Sequence, residues 1–182
     1  MNQIFLVNNR LNYISLKFYK FMKAIILAAG IGSRLGELTK ILPKPLIDVN
    51  GKSIIERQIE VFRKAGINEI TIITGYKKDK FIFEDVNYVF NSKYEEVEQA
   101  FSLMVARKQI VGDVIISFGD IIFEDKIIEQ ILKIKNDVVI GVEPKWIKLY
   151  EKREDNPPTM SDFIAIKSGK IIKLFRNLKE FD

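Results

Sequence analysis

Short, continuously apolar runs alternate along this chain with amphipathic stretches, the pattern of a mostly parallel sheet covered by helices on both faces. The apolar runs predict strands at 24–27, 70–74, 86–90, 114–117 and 138–142, of which we expect the first four to lie inside the sheet. The intervening stretches predict helices at 54–65, 96–108 and 124–134. Residues 163–167 and 170–175 predict a C-terminal hairpin. The pattern therefore predicts an α/β fold.

Local sequence predicts where the first of these helices begins and ends. Asn50-Gly51 is typical of a tight turn, and Ser53 with Glu56 has the spacing of a capping box. Gly66 is typical of the residue that follows the end of a helix. The apolar residues that share one face of this helix are Ile55, Ile59 and Phe62.

Residues 1–21 differ from the rest of the chain because they contain three basic residues, no acidic residue and no clear hydrophobic period. They precede Met22, which stands directly before the first strand. We expect either a dispensable extension or a mis-assigned start, ahead of one globular domain at 22–182. The alternative is an additional helix packed on the surface.

Composition excludes several classes of chemistry. Cysteine and histidine are both absent, so disulfides, thiolate or imidazole metal sites and Ser-His-Asp catalysis are excluded, and we expect a cytoplasmic protein. The formal charge of +5 falls to +2 without the three basic residues of 1–21, which is too small to predict a nucleic-acid surface. No apolar run reaches the roughly 20 residues of a membrane span.

A turn of small residues, AAGIGS at 28–33, follows the first strand, at the edge where open α/β sheets bind ligands. Without a Cβ at Gly30 and Gly32, a base or a phosphate can approach the backbone N–H groups. The dinucleotide fingerprint fails at Leu35, and a Walker-type loop would need glycine where Leu46 stands. Glycine turns also occur for packing, so this turn alone leaves phosphate binding open.

Two cations and one carboxylate make the prediction of a phosphate site more specific. Lys44 lies between two prolines that stiffen the backbone, and with Arg34 it would neutralise a triphosphate. The alternative is a pair of solvated surface cations. Asp120 follows a buried strand, where a carboxylate can ligate Mg²⁺ that bridges phosphates. Asp120 could instead cap the helix that begins near Glu124.

The motifs KAIILAAGIGSRL, LPKPL and ISFGD occur in this order, and residues 23–142 resemble the nucleotidyltransferases that activate sugar phosphates, phosphocholine or phosphonates. The resemblance implies a Rossmann-like fold of the nucleotide-diphospho-sugar transferase type. It implies that Arg34 and Lys44 act on the phosphates as catalytic residues and that Asp120 binds Mg²⁺. The residues that it implies for the nucleotide are Leu27, Ala28, Ala29, Gly30, Gly32, Ser33, Gly75 and Gln99.

Residues 74–77, 91–94 and 102–103 resemble the small cytidylyltransferases of the phosphocholine and phosphonate type. This implies CTP as co-substrate and transfer of CMP to a small phosphorylated or phosphonylated acceptor, with release of pyrophosphate. The alternatives are a hexose 1-phosphate uridylyltransferase or thymidylyltransferase, and a non-catalytic nucleotide-binding module. A further segment is similar to one that lies near the acceptor in phosphonate-activating relatives. In this chain it contains Trp146, Tyr150, Arg153 and Pro157.

The sequence departs from the family pattern in two places. Glu98-Gln99 stands where phosphocholine-type enzymes often carry paired asparagines, which leaves the base preference open. Relatives also supply a second acidic metal ligand from a later strand, which suggests a shortened or truncated chain here. The acidic residues that could substitute, none in a matching motif, are Asp162, Glu180 and Asp182.

Overall fold

The computed structural model describes residues 4–7, 22–145, 148 and 163–175. Internal contacts divide the chain into one unit of Gln3–Gly141 and a second unit of Val142–Asp182 with Met1–Asn2. The first unit contains the sheet and its helices, and the second contains the hairpin. Within the described part of the chain, no helix combines the length and the apolar character needed to cross a membrane.

Strands and helices alternate through the first unit. Its strands are β1 (Ile4–Val7), β2 (Lys23–Ala28), β3 (Asp48–Val49), β4 (Lys52–Ser53), β5 (Glu69–Thr74), β6 (Asn87–Phe90), β7 (Val114–Phe118) and β8 (Val138–Ile140). Its helices are α1 (Glu37–Ile41), α2 (Ile54–Lys64), α3 (Gln99–Val105) and α4 (Asp125–Lys133). Short 3₁₀ turns cover Ser33–Leu35, Lys44–Leu46, Lys78–Lys80 and Arg107–Gln109.

The second unit contains the predicted hairpin. Its strands are β9 (Phe163–Lys167) and β10 (Lys170–Phe175), which pair antiparallel with the bounds that the sequence predicts. Ser168 and Gly169 join them with positive φ values of 50° and 73°. This turn matches the right-handed twist of the two strands.

The main sheet has the strand order β6-β5-β2-β7-β1-β8, in which β6, β5, β2 and β7 are parallel. The chain moves outward from β2 to β5 and β6 and then returns to the other side of β2 as β7. This reversal is a topological switch point, and α/β sheets bind ligands in the crevice that it opens. Ala28 lies opposite Thr74, and Leu27 lies opposite Phe118, so the carboxyl ends of these strands align at one edge.

Helices cover both faces of the sheet, as the sequence predicts. On one face, Ala24 and Ile26 of β2 pack in a core with residues of α2 and α4. On the other face, Ile25 packs with Ala106, which directly follows α3. All four of these residues are fully buried. Alternation of side chains along a strand that is buried on both faces explains the continuous apolar run.

The predicted turn and capping box are confirmed. Asn50 and Gly51 have positive φ values of 53° and 83° between β3 and β4. The Ser53 N–H donates to Glu56 Oε2 at 2.7 Å, and the Glu56 N–H donates to Ser53 Oγ at 3.3 Å. Hydrogen bonds from Ser53 hold the pKa of the Glu56 carboxyl below its ordinary value. Gly66 follows the end of α2 with φ 81°.

Two predicted elements differ from the structure. The strand expected inside the sheet at 86–90 is β6, which lies at the sheet edge with Tyr88 and Phe90 exposed. An apolar run of this length does not distinguish an edge strand from a buried one. The helix expected at 96–108 is shorter, because a turn closed by the Glu96 N–H and the Lys93 carbonyl precedes α3.

Residues 4–7 form a strand inside the sheet. β1 runs antiparallel between β7 and β8, with Leu6 opposite Ile115 on one side and Val139 on the other. In the described part of the chain, β8 pairs with β1 alone. The alternative of a surface helix is therefore wrong for these four residues. That segment 1–21 is dispensable stays a prediction, and the pairing of β1 argues against it.

Replacing Leu6 by proline tests whether β1 holds the sheet together. Proline removes one ladder N–H from a strand that is paired on both sides, so we expect Leu6→Pro to lower the thermal unfolding midpoint by roughly 2–10 °C. Circular dichroism measures this midpoint. Leu6→Val is the control, since it keeps the N–H and favours a strand. Equal midpoints for the two variants would contradict a role for β1.

Candidate active site

Three loops meet at the aligned ends of β2, β5 and β7, and backbone hydrogen bonds join them. The Gly119 N–H, just after β7, donates to the Leu27 carbonyl at 2.8 Å. The Tyr76 N–H, after β5, donates to the Ala29 carbonyl at 3.0 Å. Leu27 and Ala29, predicted to contact the nucleotide, therefore also hold the neighbouring loops in place.

The glycine turn after β2 presents backbone donors that have no partner among the described residues. The N–H groups of four consecutive residues, Gly30, Ile31, Gly32 and Ser33, donate to no acceptor in the described part of the chain. Gly32 adopts φ 72°, a left-handed conformation. Successive free N–H groups in such a turn form a concavity that binds anions. The turn therefore has the donors that a phosphate requires.

Gly32 allows this turn to pack on the stem of Lys44. A Cβ at Gly32 would lie 2.9 Å from Lys44 Cβ and 3.3 Å from Thr39 Cγ2. The first distance is too short for any side chain, so the backbone itself covers Lys44 here. The free N–H groups and the Lys44 side chain are therefore close together.

Lys44 and Asp120 form an ion pair across the switch point, with Lys44 Nζ 2.8 Å from Asp120 Oδ2. Gly119 permits this approach, because a Cβ there would lie 3.1 Å from both Ala28 Cβ and Pro45 Cγ. The two charged side chains remain 30% and 41% exposed, so a ligand can reach both. Asp120 is not the cap of α4, whose N-cap residue is Glu124.

The structure leaves two predicted roles untested. Arg34 lies exposed in the 3₁₀ turn directly after Gly32 and forms no ion pair with any described residue. Gln99 is the exposed first residue of α3, and its side chain has no hydrogen-bond partner in the described ranges. A ligand at the glycine turn would therefore find the Arg34 guanidinium without a competing carboxylate among these residues.

Gly75 is closed off by a tyrosine that the sequence does not single out. A Cβ at Gly75 would lie 2.5 Å from Tyr94 Cβ and 2.6 Å from the Ala29 carbonyl oxygen. The Tyr76 and Tyr94 rings have centroids 6.4 Å apart, and the Tyr76 hydroxyl donates to the Thr39 carbonyl at 3.0 Å. Glycine at position 75 is thus required for packing, and Tyr94 forms the wall beside it.

A buried amide fixes the loop that carries Tyr94. Asn91 Nδ2 donates to Ser102 Oγ on α3 at 2.9 Å, and Asn91 Oδ1 accepts from the Lys93 N–H at 3.0 Å. Asn91 is 1% exposed. A hydrogen bond to Glu95 raises the pKa of the Tyr94 phenol, which would be neutral at physiological pH even without this shift. Tyr94 therefore presents a fixed, uncharged aromatic surface.

The donor set at Asp120 suits a divalent ion that arrives with phosphate. Among the described residues, no group of three acidic, histidine or cysteine side chains could hold a metal by itself. Mg²⁺ is commonly held by one or two carboxylates together with substrate phosphates. Asp120 fits this arrangement, because its partner Lys44 packs under the glycine turn. Some candidate residues of the sequence analysis lie outside the described ranges, namely Asp162, Glu180, Asp182, Trp146, Tyr150, Arg153 and Pro157.

The parallel sheet, the free N–H groups of the glycine turn and the Lys44–Asp120 pair define an α/β domain of the nucleotidyltransferase class. The MobA-like NTP transferase domain matches residues 24–146. The chain belongs to this family. The match covers the residues predicted for the nucleotide, the phosphates and Mg²⁺, from Leu27 to Asp120.

Relatives within this class include cytidylyltransferases. The chain is 34% identical over 174 residues to CTP:phosphoglutamine cytidylyltransferase of Campylobacter jejuni, covering 88% of this chain and 68% of that protein. It is 37% identical over 113 residues to 2-aminoethylphosphonate cytidylyltransferase of Lancefieldella rimae, covering 59% and 46%. The solved CTP:phosphocholine cytidylyltransferase of Streptococcus pneumoniae matches with TM-score 0.53 and 38% identity, covering 58% and 50%. The chain thus spans about half to two thirds of these proteins.

Two glycine substitutions separate packing from ligand approach. We expect Gly75→Ala to destabilise the fold by about 1–3 kcal/mol, because the new methyl group overlaps Tyr94 and the Ala29 carbonyl. We expect Gly30→Ala to keep its stability, since nothing lies within 4 Å of its Cβ, but to weaken nucleotide binding. Urea unfolding and calorimetric titration of CTP with Mg²⁺ measure the two effects. Unchanged CTP affinity in Gly30→Ala would contradict backbone binding there.

Proposed function

We propose that this chain transfers CMP from CTP to a small phosphate or phosphonate acceptor, such as phosphocholine or 2-aminoethylphosphonate, and releases pyrophosphate. The observation that carries the proposal is the Lys44–Asp120 pair together with the glycine turn that packs on the Lys44 stem, whose four N–H groups donate to no acceptor among the described residues. The three relatives described above support CTP as the donor, because each is named for a CTP-dependent transfer or a cytidylyl transfer.

The Lys44–Asp120 pair exchanges partners when the nucleotide binds. Asp120 would hold Mg²⁺ together with triphosphate oxygens, and the bound metal supplies charge neutralisation on those oxygens. Lys44 then turns from the carboxylate to the phosphates. Because both side chains are partly exposed, the exchange leaves no buried charge without a partner. The ion pair thus keeps both groups oriented until the ligand arrives.

The remaining residues of the site bind the triphosphate and neutralise its negative charge. The N–H groups of 30–33 donate to phosphate oxygens, and Arg34 with Lys44 stabilises negative charge that develops during transfer. An acceptor oxygen attacks the α-phosphorus in line, the new O–P bond forms, and the bond to the β-phosphate oxygen breaks. The attacking oxygen is already anionic, so no general base is needed, which agrees with a chain that lacks histidine.

Assays that combine each nucleotide donor with each acceptor test this function. We expect pyrophosphate release with Mg²⁺ and CTP in the presence of phosphocholine or 2-aminoethylphosphonate, and much less with UTP, dTTP or ATP. Coupled detection of pyrophosphate measures the rates. Preference for UTP or dTTP with glucose 1-phosphate would replace the proposal with a hexose 1-phosphate nucleotidyltransferase. CTP binding without turnover for any acceptor would replace it with a non-catalytic module.

Single substitutions in the ion pair test the assigned roles. We expect Lys44→Ala and Asp120→Ala each to lower kcat by about 100-fold or more, since each removes a charge that acts on the phosphates. The thermal midpoint should change little, because partly exposed ion pairs contribute about 0–1 kcal/mol. Initial-rate kinetics measure kcat.

A second ion pair on the surface provides matched controls. Lys64 Nζ lies 3.2 Å from Asp125 Oδ2, and both side chains are about half exposed or more. Lys64→Ala and Asp125→Ala remove the same chemical groups away from the switch point, so we expect their kcat to stay within about 2-fold of wild type, a factor that corresponds to roughly 0.4 kcal/mol. Wild-type rates in Lys44→Ala or Asp120→Ala would show that the role assignments are wrong.

A further inference from the structure

Gln58 is a polar side chain in the buried face of α2, where it is 1% exposed. Its Nε2 donates to the Phe118 carbonyl at 2.8 Å and to the Ile121 carbonyl at 2.7 Å. Its Oε1 accepts from the Ser117 hydroxyl at 2.8 Å. Because carbonyl oxygens can only accept, the bonding partners fix which end of the amide faces them. The buried amide therefore has one defined orientation.

The two carbonyls that Gln58 binds stand on either side of Gly119-Asp120. One side-chain amide thus holds both ends of the turn that carries the candidate metal ligand. The Gly119 N–H bond to the Leu27 carbonyl restrains the same turn from the side of β2. The Asp120 carboxylate remains 41% exposed. The turn is therefore fixed at its base and open at its charged end.

The helix that carries Gln58 also supports the cation of the ion pair. α2 packs against the 3₁₀ turn that begins at Lys44, and Leu46 of that turn lies against the same core as Ile55. The Ser53–Glu56 capping box fixes the first turn of α2. Both partners of the ion pair are thus positioned relative to one rigid helix.

We propose that Gln58 is a positioning residue that holds the Asp120 turn in the conformation that binds Mg²⁺ with the nucleotide. This inference rests on the proposed function. Gln58 acts through the backbone and does not touch the ligand. Without its amide, the turn must be ordered when the metal binds, and metal affinity falls for that reason. A residue that only stabilised the core would lower the unfolding midpoint and leave metal affinity unchanged.

Gln58→Met tests the inference, because methionine has a similar length and makes none of the three hydrogen bonds. Ile59→Ala is the matched control, since Ile59 is the next buried residue of α2 and its truncation destabilises by about 2–5 kcal/mol without removing any of the three Gln58 hydrogen bonds. One readout is the Mn²⁺ dissociation constant, measured by electron paramagnetic resonance with a non-hydrolysable CTP analogue. The other is the Mg²⁺ concentration that gives half-maximal pyrophosphate release.

We expect Gln58→Met to raise both metal constants by about 10–100-fold, as loss of a group that orients a metal ligand does. Ile59→Ala should leave both constants near wild type despite a lower unfolding midpoint. Ser117→Ala should give a smaller rise than Gln58→Met, because it keeps both carbonyl bonds and removes only the hydroxyl that orients the amide. If Gln58→Met does not fold, Ser117→Ala decides the question by the same two readouts.

The possible outcomes distinguish a failure of the positioning role from a failure of the proposed function. Wild-type metal constants in folded Gln58→Met, or in Ser117→Ala where that variant decides, would overturn the positioning role and leave the proposed function standing. A wild-type protein that binds no Mn²⁺ with the nucleotide analogue and shows no turnover would refute the proposed function, and the positioning role would fall with it.

Discussion

The register of β2 against β7 is the constraint on which the site depends. Leu27 lies opposite Phe118, and the Gly119 N–H extends the pairing one residue beyond the strand. A slip of one residue would turn every β7 side chain to the other face of the sheet, so the two buried cores fix the register. The Asp120 carboxylate reaches Lys44 only because this apolar packing aligns the strand ends.

The attraction between Lys44 and Asp120 is too weak to bring their two loops together. A partly exposed lysine–carboxylate pair stabilises a fold by about 0–1 kcal/mol, too little to hold together loops that lie 76 residues apart. Close packing at Gly32 and Gly119 brings the loops together instead, since a Cβ would lie 2.9 Å from Lys44 Cβ at Gly32 and only 3.0–3.1 Å from its neighbours at Gly119. Packing therefore fixes the geometry, and the charges stay available for a ligand. This separation is compatible with the exchange of ionic partners that we propose for nucleotide binding.

Local rules explain which features the sequence predicts correctly. The Ser53–Glu56 box and the 163–175 hairpin depend on neighbours a few residues apart, and both are confirmed. β1 could not be predicted, because its four residues have no periodicity and both of its partners are distant in the chain. The sequence does contain a signal for Gln58, because this glutamine lies three residues after Ile55 and four before Phe62 on the apolar face of α2. A glutamine there indicates a buried polar partner.

Two buried side-chain amides, those of Gln58 and Asn91, supply hydrogen-bond partners to separate loops of the site. Where a strand ends, its backbone leaves the ladder, and buried polar groups need new partners. Gln58 supplies them to the loop after β7, and Asn91 joins the loop after β6 to α3. The first amide fixes the turn that carries the Asp120 carboxylate, while the second fixes the loop that carries Tyr94. The two supports are also linked at the end of β2. The Gly119 N–H bonds the Leu27 carbonyl, and Tyr94 lies against Gly75, whose neighbour Tyr76 bonds the Ala29 carbonyl, so a change in either loop reaches the glycine turn.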